Sequence, residues 1–118
     1  MEIDRQLTEV ISEYQPTQVA VEGIFYAQNI KTALIMGQAR GAALLSAAKA
    51  KLEIFEYAPR KIKQGIVGKG AASKNQVGFM VRALLGLVET PPPDAADALA
   101  VAITHAHVCQ GQKAVMGI

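Results

Sequence analysis

The chain has 118 residues, a length that suggests a single domain; 51% of the residues are hydrophobic and 19% are charged. This composition is typical of a globular protein and excludes a disordered one. The net charge is only +2, but its distribution is uneven, since no acidic residue lies between Glu56 and Glu89. The basic residues of that stretch are Arg60, Lys61, Lys63, Lys69, Lys74 and Arg82. Such a block either attracts phosphate and other anions or is ordinary solvated surface, and charge alone leaves both interpretations open.

The cysteine content and the apolar runs bear on the cellular compartment. Cys109 is the only cysteine, so the chain has no internal disulfide and we expect a reducing, cytoplasmic environment. The first residues carry mixed charge and lack the apolar core of a signal peptide. The longest run of small apolar residues, 41–48, lies between Arg40 and Lys49 and is far too short to cross a bilayer. We therefore expect no membrane association.

The first half of the chain predicts a helix, a strand and a second helix. Apolar residues at helical spacing predict an amphipathic helix over residues 2–14, which Pro16 ends. The short, apolar, β-rich segment 19–25 predicts a buried strand. A long helix is predicted over residues 29–50.

Small residues follow one face of that long helix. Ala33, Gly37 and Gly41 lie four residues apart and are followed by Leu45, so they share a face. The face packs either on the domain's own sheet or on a second helix across a dimer interface.

The second half of the chain continues the alternation of strands and helices. A strand is predicted over residues 52–57, and Pro59 is well placed at the first turn of a helix that runs to Val67. After a glycine-rich loop, Ser73 is a candidate cap for the next helix. The three prolines at 91–93 predict a rigid break, after which Asp94 opens a last helix through His107. This alternation predicts an α/β fold.

Three carboxylates are the candidates for chemistry. Asp94 and Asp97 lie three residues apart in the first turn of the last helix and therefore share a face. Glu22 interrupts an otherwise apolar strand, where a bare carboxylate is costly unless it is paired or binds a metal. If the three converge, their oxygens suit Mg²⁺ or Mn²⁺. Sites that hold these ions hydrolyse phosphodiesters by activating water and neutralising charge on the phosphate. Taken alone, Asp94 could instead be an N-cap, Asp97 could interact with the helix dipole, and Glu22 could end its strand in solvent.

Other residues give weaker indications. His105 and His107 point about 200° apart on a helix and cannot both ligate one metal from there, although one of them could approach the site. The Gly68-Lys69-Gly70 segment lacks the spacing and the Ser or Thr of a phosphate-binding P-loop, which excludes that motif. Phe25 follows Glu22 closely and either stacks on a nucleic-acid base or belongs to the core.

Five segments match one known family in order and in approximate spacing. They are VEGIFYAQN (21–29), ALIMGQARG (33–41), FEYAPR (55–60), KQGIVG (63–68) and DAADALAVAITH (94–105). They are distributed across nearly the whole chain and resemble the RuvC-type Holliday-junction resolvases, the crossover junction endodeoxyribonucleases.

The resemblance implies a fold, an activity and roles for particular residues. It implies one RNase H-like domain over residues 1–118, a homodimer formed through helix 29–50, and paired symmetric nicks in four-way DNA junctions during recombination and repair. It assigns Glu22, Asp94 and Asp97 to three of the family's four positions for Mg²⁺ or Mn²⁺, and Phe25 to a contact with junction bases. The basic residues that we expect at the DNA are Arg60, Lys63, Lys69 and Lys74. A branch-migration motor complex is the expected protein partner.

One feature of the family has no counterpart in this chain. The family begins with a strand that carries Gly-Ile-Asp-Pro-Gly or a close variant, whose Asp is the fourth metal ligand, and no such segment is present. We therefore expect an RNase H-like domain that is truncated at its N-terminus. Three functions stay open: a junction-cutting nuclease, a non-catalytic remnant that binds DNA or dimerises, and another RNase H-like nuclease, since fold alone does not determine substrate.

Overall fold

The computed structural model describes the backbone of residues 2–23, 30–68, 70 and 72–116, and the side chains of 4–23, 37–68, 70 and 72–111. In chain order the described elements are α1 (Glu2–Tyr14), β1 (Gln18–Glu22), α2 (Ile30–Lys49), β2 (Glu53–Tyr57), α3 (Pro59–Val67), α4 (Lys74–Leu85) and α5 (Pro93–Met116). Within these residues no helix is both long and apolar enough to span a membrane.

The predicted order of elements is confirmed, and several boundaries differ, mostly by one residue. The strand predicted over 19–25 is β1, which ends at Glu22, and residues 24–29 lie outside the described part of the chain. The prediction that Asp94 opens the last helix is wrong by one residue, because Pro93 is the first helical residue. Proline suits that position, since its fixed φ matches the helix and its missing N–H would have no partner there.

The two strands form a small parallel sheet. Their register follows from the backbone hydrogen bonds at either end: the N–H of Glu53 donates to the carbonyl of Thr17 at 3.4 Å, and the N–H of Gly23 donates to that of Tyr57 at 2.9 Å. The carboxyl ends of both strands therefore lie at the same edge, which places Glu22 and Tyr57 there.

The chain divides into two compact units. The first comprises Met1–Val19 and Phe25–Phe55, and the second comprises Ala20–Ile24 and Glu56–Ile118. The sequence analysis expects these two units to form a single domain, and that expectation stays a prediction.

In the first unit α1 packs against α2. The buried Ser46 of α2 donates its hydroxyl to the Asp4 carboxylate at 2.6 Å, and the Lys49 ammonium lies 3.1 Å from the same carboxylate. These two groups, Ser46 first, lower the pKa of Asp4 from its usual value. The ends of the two helices are thereby joined by a charged hydrogen-bond network.

In the second unit three helices share one core. Each contributes apolar side chains at helical spacing, as their sequence periodicity predicts. The buried residues are Ile62 and Ile66 of α3, Val77 and Val81 of α4, and Ala96, Ala100 and Val101 of α5. Alanines on α5 allow the other two helices to approach closely, and the buried Thr104 satisfies its hydroxyl on the Ala100 carbonyl at 2.9 Å.

Local signals begin and end these helices. Gly68 ends α3 in the left-handed conformation, with φ of 88°, which a residue without a Cβ adopts at no steric cost. Ser73 begins α4 through a capping box: its hydroxyl accepts from the Gln76 N–H at 3.2 Å, and the Gln76 side chain accepts from the Ser73 N–H at 2.8 Å. The cap that the sequence predicts at Ser73 is therefore confirmed.

Because Ser73 satisfies a backbone N–H at the start of α4, Ser73→Ala should lower the free energy of unfolding by about 1 kcal/mol. Chemical denaturation followed by circular dichroism measures this change. The same exchange at Ser12, which is exposed within α1, is the control and should not destabilise the chain. Equal stability of wild type and Ser73→Ala would contradict a stabilising cap.

Candidate active site

A cavity of about 170 Å³ in the second unit gathers four of the charged residues that the sequence singled out. Glu22 reaches it from the end of β1 and Asp97 from the second turn of α5. Lys63 comes from the middle of α3, and Lys74 is the first residue of α4. The remaining wall is apolar and consists of Pro59, Ile62, Val77 and Ala100. Strand, helices and core thus place two carboxylates and two ammonium groups around one small cavity.

The two carboxylates affect each other electrostatically. Partial burial raises the pKa of Glu22, and the negative charge of Asp97 raises it further, while Lys63 and Lys74 act in the opposite direction. The Lys74 ammonium lies 3.6 Å from the Asp97 carboxylate, and both side chains are substantially exposed. Glu22 is thus an acid whose ionised form is disfavoured in the cavity without an additional cation.

This arrangement fits a hard divalent cation. Mg²⁺ is commonly held by one or two carboxylates together with phosphate oxygens and water. Glu22 and Asp97 would supply the carboxylates, and a cation between them would relieve the repulsion that raises the pKa of Glu22. Among the described residues, no three His, Cys, Asp or Glu side chains lie together as a metal-binding group. The described part of the chain therefore brings together two of the three predicted ligands.

Asp94 is the carboxylate that does not line this cavity. It is exposed in the first turn of α5, where its charge complements the helix dipole. A role of Asp94 in metal binding stays a prediction.

The predicted DNA-binding residues have different surroundings. Lys63 and Lys74 line the cavity, whereas Arg60 is exposed on α3 and its side chain lies against Gly70. Phe25 and Lys69 lie outside the described residues.

His105 has a partner away from the cavity. Its Nδ1 lies 2.6 Å from the hydroxyl of the buried Tyr57, and Cys109 Sγ is 3.6 Å from its Nε2. The Tyr57 ring also has a cation above it, because the Lys61 ammonium lies 6.0 Å from the ring centre. His105 does not line the cavity, and the contacts with Tyr57 and Cys109 join it to β2 and to its own helix, α5.

Sequence reasoning missed part of the site's surroundings. The apolar wall of the cavity consists of ordinary core residues, which no local pattern distinguishes. A second cavity shares Lys74 and Asp97 with the first and is lined by Phe79 of α4. One signal could have indicated Phe79: it lies two residues after Val77, about 200° away from the apolar stripe of its helix.

Comparison with known proteins is consistent with this geometry. A family model described as "Crossover junction endodeoxyribonuclease RuvC" matches residues 1–105. A crossover junction endodeoxyribonuclease RuvC of Alkaliphilus oremlandii is 56% identical over 106 residues, which are 89% of this chain and 65% of that protein. This chain therefore spans slightly less than two thirds of the length of that relative.

Two solved structures share the fold. The structure of Thermus thermophilus RuvC superimposes with a TM-score of 0.80 at 40% identity and covers 98% of this chain and 68% of its own. T. thermophilus RuvC in complex with Holliday junction substrate gives a TM-score of 0.87 at 39% identity. That match covers 94% of this chain and 68% of the T. thermophilus chain. The chain belongs to the family of crossover junction endodeoxyribonucleases RuvC, and the predicted RNase H-like α/β fold is confirmed.

The raised pKa of Glu22 has a consequence for stability. Its carboxyl binds a proton more tightly in the folded chain, so its favourable contribution is present below the usual value of 4.5 and is lost as pH rises through the folded pKa. At neutral pH without metal, Glu22→Gln should therefore stabilise the fold by a few tenths of a kcal/mol, a small gain because the site is solvated. Below pH 4.5 the gain should disappear.

Thermal melts at several pH values in a chelating buffer measure this difference. Glu89→Gln, a change at an exposed residue that lines neither cavity, is the matched control. A Glu22→Gln protein that is less stable than wild type at neutral pH would contradict the electrostatic account of the cavity.

Proposed function

We propose that this chain acts on four-way DNA junctions as a metal-dependent endonuclease that makes paired symmetric nicks in recombination and repair. The observation that carries the proposal is the cavity in which Glu22 and Asp97 face Lys63 and Lys74. Family membership supports it, and T. thermophilus RuvC, a relative with the same fold, forms a complex with Holliday junction substrate.

Each side chain of the cavity has a role in this proposal. Glu22 and Asp97 would hold Mg²⁺ or Mn²⁺, which would supply activation of water and neutralisation of charge on the phosphate. Lys63 and Lys74 bind oxygens of the scissile phosphate from two different helices, which fixes its orientation. The apolar wall of Ile62, Val77 and Ala100 belongs to the packed core and holds the charged groups around the cavity at a fixed spacing.

The surrounding basic residues extend the DNA contact in the same proposal. Arg60 and Lys69 add positive charge to a stretch without acids, and Phe25 contacts junction bases. Because these contacts release counterions, junction affinity should fall steeply with salt. In the same proposal Asp94 is a third metal ligand. The chain acts in the cytoplasm, and its protein partner is a branch-migration motor complex.

A second candidate function is junction binding without cleavage. The observation that favours it is that the described residues bring together a pair of acidic ligands and not a group of three. In that case Mn²⁺ binding measured by calorimetry would be weak, and wild-type protein would bind four-way junctions without cutting them.

Asp97→Asn tests the nuclease. Neutralising this acidic ligand of the cavity should reduce cleavage of a synthetic four-way junction in Mg²⁺ about a hundredfold or more, since metal catalysis contributes several kcal/mol. Junction binding in a chelating buffer should be preserved. Glu89→Gln is the control and should cut at the wild-type rate, and Asp94→Asn measures whether Asp94 takes part. Equal cleavage by wild type and Asp97→Asn would rule out this assignment of the site.

The homodimer is proposed to form through α2, within the predicted helix 29–50. Gly37 and Gly41 are exposed, nothing lies within 4 Å of where a Cβ would be on either, and Leu45 on the same face is 59% exposed. A face of this kind allows the backbone of a second helix to approach closely.

Gly41→Leu should weaken the dimer at least tenfold, because the leucine side chain keeps the two helices apart. The exchange removes a helix-destabilising glycine, so the fold itself should be preserved. Ala39→Leu, exposed on the opposite side of α2, is the matched control. Sedimentation velocity measures the change in molecular mass. A Gly41→Leu protein that dimerises as tightly as Ala39→Leu would place the interface elsewhere.

A further inference from the structure

A second cavity adjoins the candidate active site. It measures about 340 Å³ and shares Lys74 and Asp97 with the carboxylate cavity. Its other lining residues come from α4 and from the segment that precedes and begins α5: Asn75, Gly78, Phe79, Thr90, Pro91, Pro93 and Ala96. Gly78 is buried where this segment crosses the helix, and a Cβ there would lie 3.2 Å from the Thr90 methyl group. The cavity is therefore a continuation of the active site along α4.

Phe79 is the conspicuous residue of this cavity because it is 61% exposed. Val77 and Val81, on the other side of α4, fill the core, so Phe79 contributes little to folding. It also lines a third cavity, of about 390 Å³, together with Arg82, Ala83, Gly86 and Leu87. An exposed aromatic ring between two concave surfaces indicates a binding role.

The charges around Phe79 indicate the chemistry of the ligand. Lys74 lies five residues before it, the exposed Arg82 lies three residues after it, and α4 carries no acidic residue. The one acidic side chain of the second cavity is Asp97, which lies 3.6 Å from Lys74. Aromatic rings flanked by basic side chains are typical of surfaces on which single-stranded nucleotides stack. An apolar protein segment would not require the cations.

We propose that an unpaired base next to the scissile phosphate stacks on Phe79, while Lys74 and Arg82 contact the flanking phosphates. The proposal rests on the proposed nuclease function and adds a path for the strand from the carboxylate cavity along α4. Asn75 lines the same cavity and carries an amide that can hydrogen-bond a base edge, which makes Phe79 and Asn75 candidates for sequence preference near the cut.

The chain contains no tryptophan, so a single introduced tryptophan reports on its own surroundings. Phe79→Trp in the full chain should lose fluorescence when a four-way junction or an oligo(dT) single strand is added, because a stacked base quenches the indole. Val88→Trp is the matched control: Val88 is 89% exposed and lines neither of the Phe79 cavities, so its fluorescence should not change.

Affinity measurements separate stacking from general apolar contact. Phe79→Ala and Phe79→Leu should both bind oligo(dT) about tenfold to a hundredfold more weakly, because leucine keeps apolar volume but has no aromatic face. Phe79→Tyr should bind like wild type. Equal affinity of Phe79→Leu and wild type, or unchanged fluorescence of the Phe79→Trp protein with bound DNA, would overturn the proposal.

The two probes distinguish this proposal from the proposed function. Quenching by oligo(dT) in a protein that neither binds nor cuts junctions would support the stacking site and refute the junction nuclease. Junction cleavage with unchanged Phe79→Trp fluorescence would refute the stacking site alone. A Phe79→Trp signal that depends on protein concentration without DNA would assign this face to a second copy of the chain and would also overturn the proposal.

Discussion

The repulsion between two carboxylates, gathered in one cavity, is the constraint on which the candidate site depends. Partial burial of Glu22, and then the negative charge of Asp97, disfavour the ionised carboxylate and raise the pKa of Glu22. Lys63 and Lys74 compensate only in part. This pair of neighbouring carboxylates is the basis for the proposal that a divalent cation and a phosphate bind here.

The helical core of the second unit maintains this arrangement. α3 supplies Lys63, α4 supplies Lys74 and α5 supplies Asp97, and the same helices meet through Ile62, Val77 and Ala100. The charged groups thus project from the rim of an apolar contact whose packing sets their spacing. The capping box at Ser73 also belongs to this framework, because it determines where α4 begins and therefore where Lys74 stands.

The basic surface formed by α3 and α4 extends beyond the carboxylate cavity along α4. The acid-free stretch between Glu56 and Glu89 covers α3 and α4, and it continues from the carboxylate pair to Phe79 and Arg82. In the proposed function, a nucleic-acid strand would meet the carboxylate pair, two cations and an aromatic ring in succession. Charge alone did not decide whether this basic block binds anions or is ordinary solvated surface. Because Lys74 and Asp97 line both cavities, the block runs from the carboxylate pair along α4.

The order of helices and strands, the ends at Pro16 and Gly68 and the cap at Ser73 could be predicted from the sequence, because periodicity, prolines, glycines and caps act over a few residues. The family motifs likewise predicted the RNase H-like fold. Only the tertiary structure decided that Glu22 and Asp97 share a cavity without Asp94, that His105 contacts Tyr57, and that Phe79 is exposed beside the site. The physical reason is that these relations join residues distant in sequence, and their geometry is set by how strand and helices pack, which no local pattern encodes.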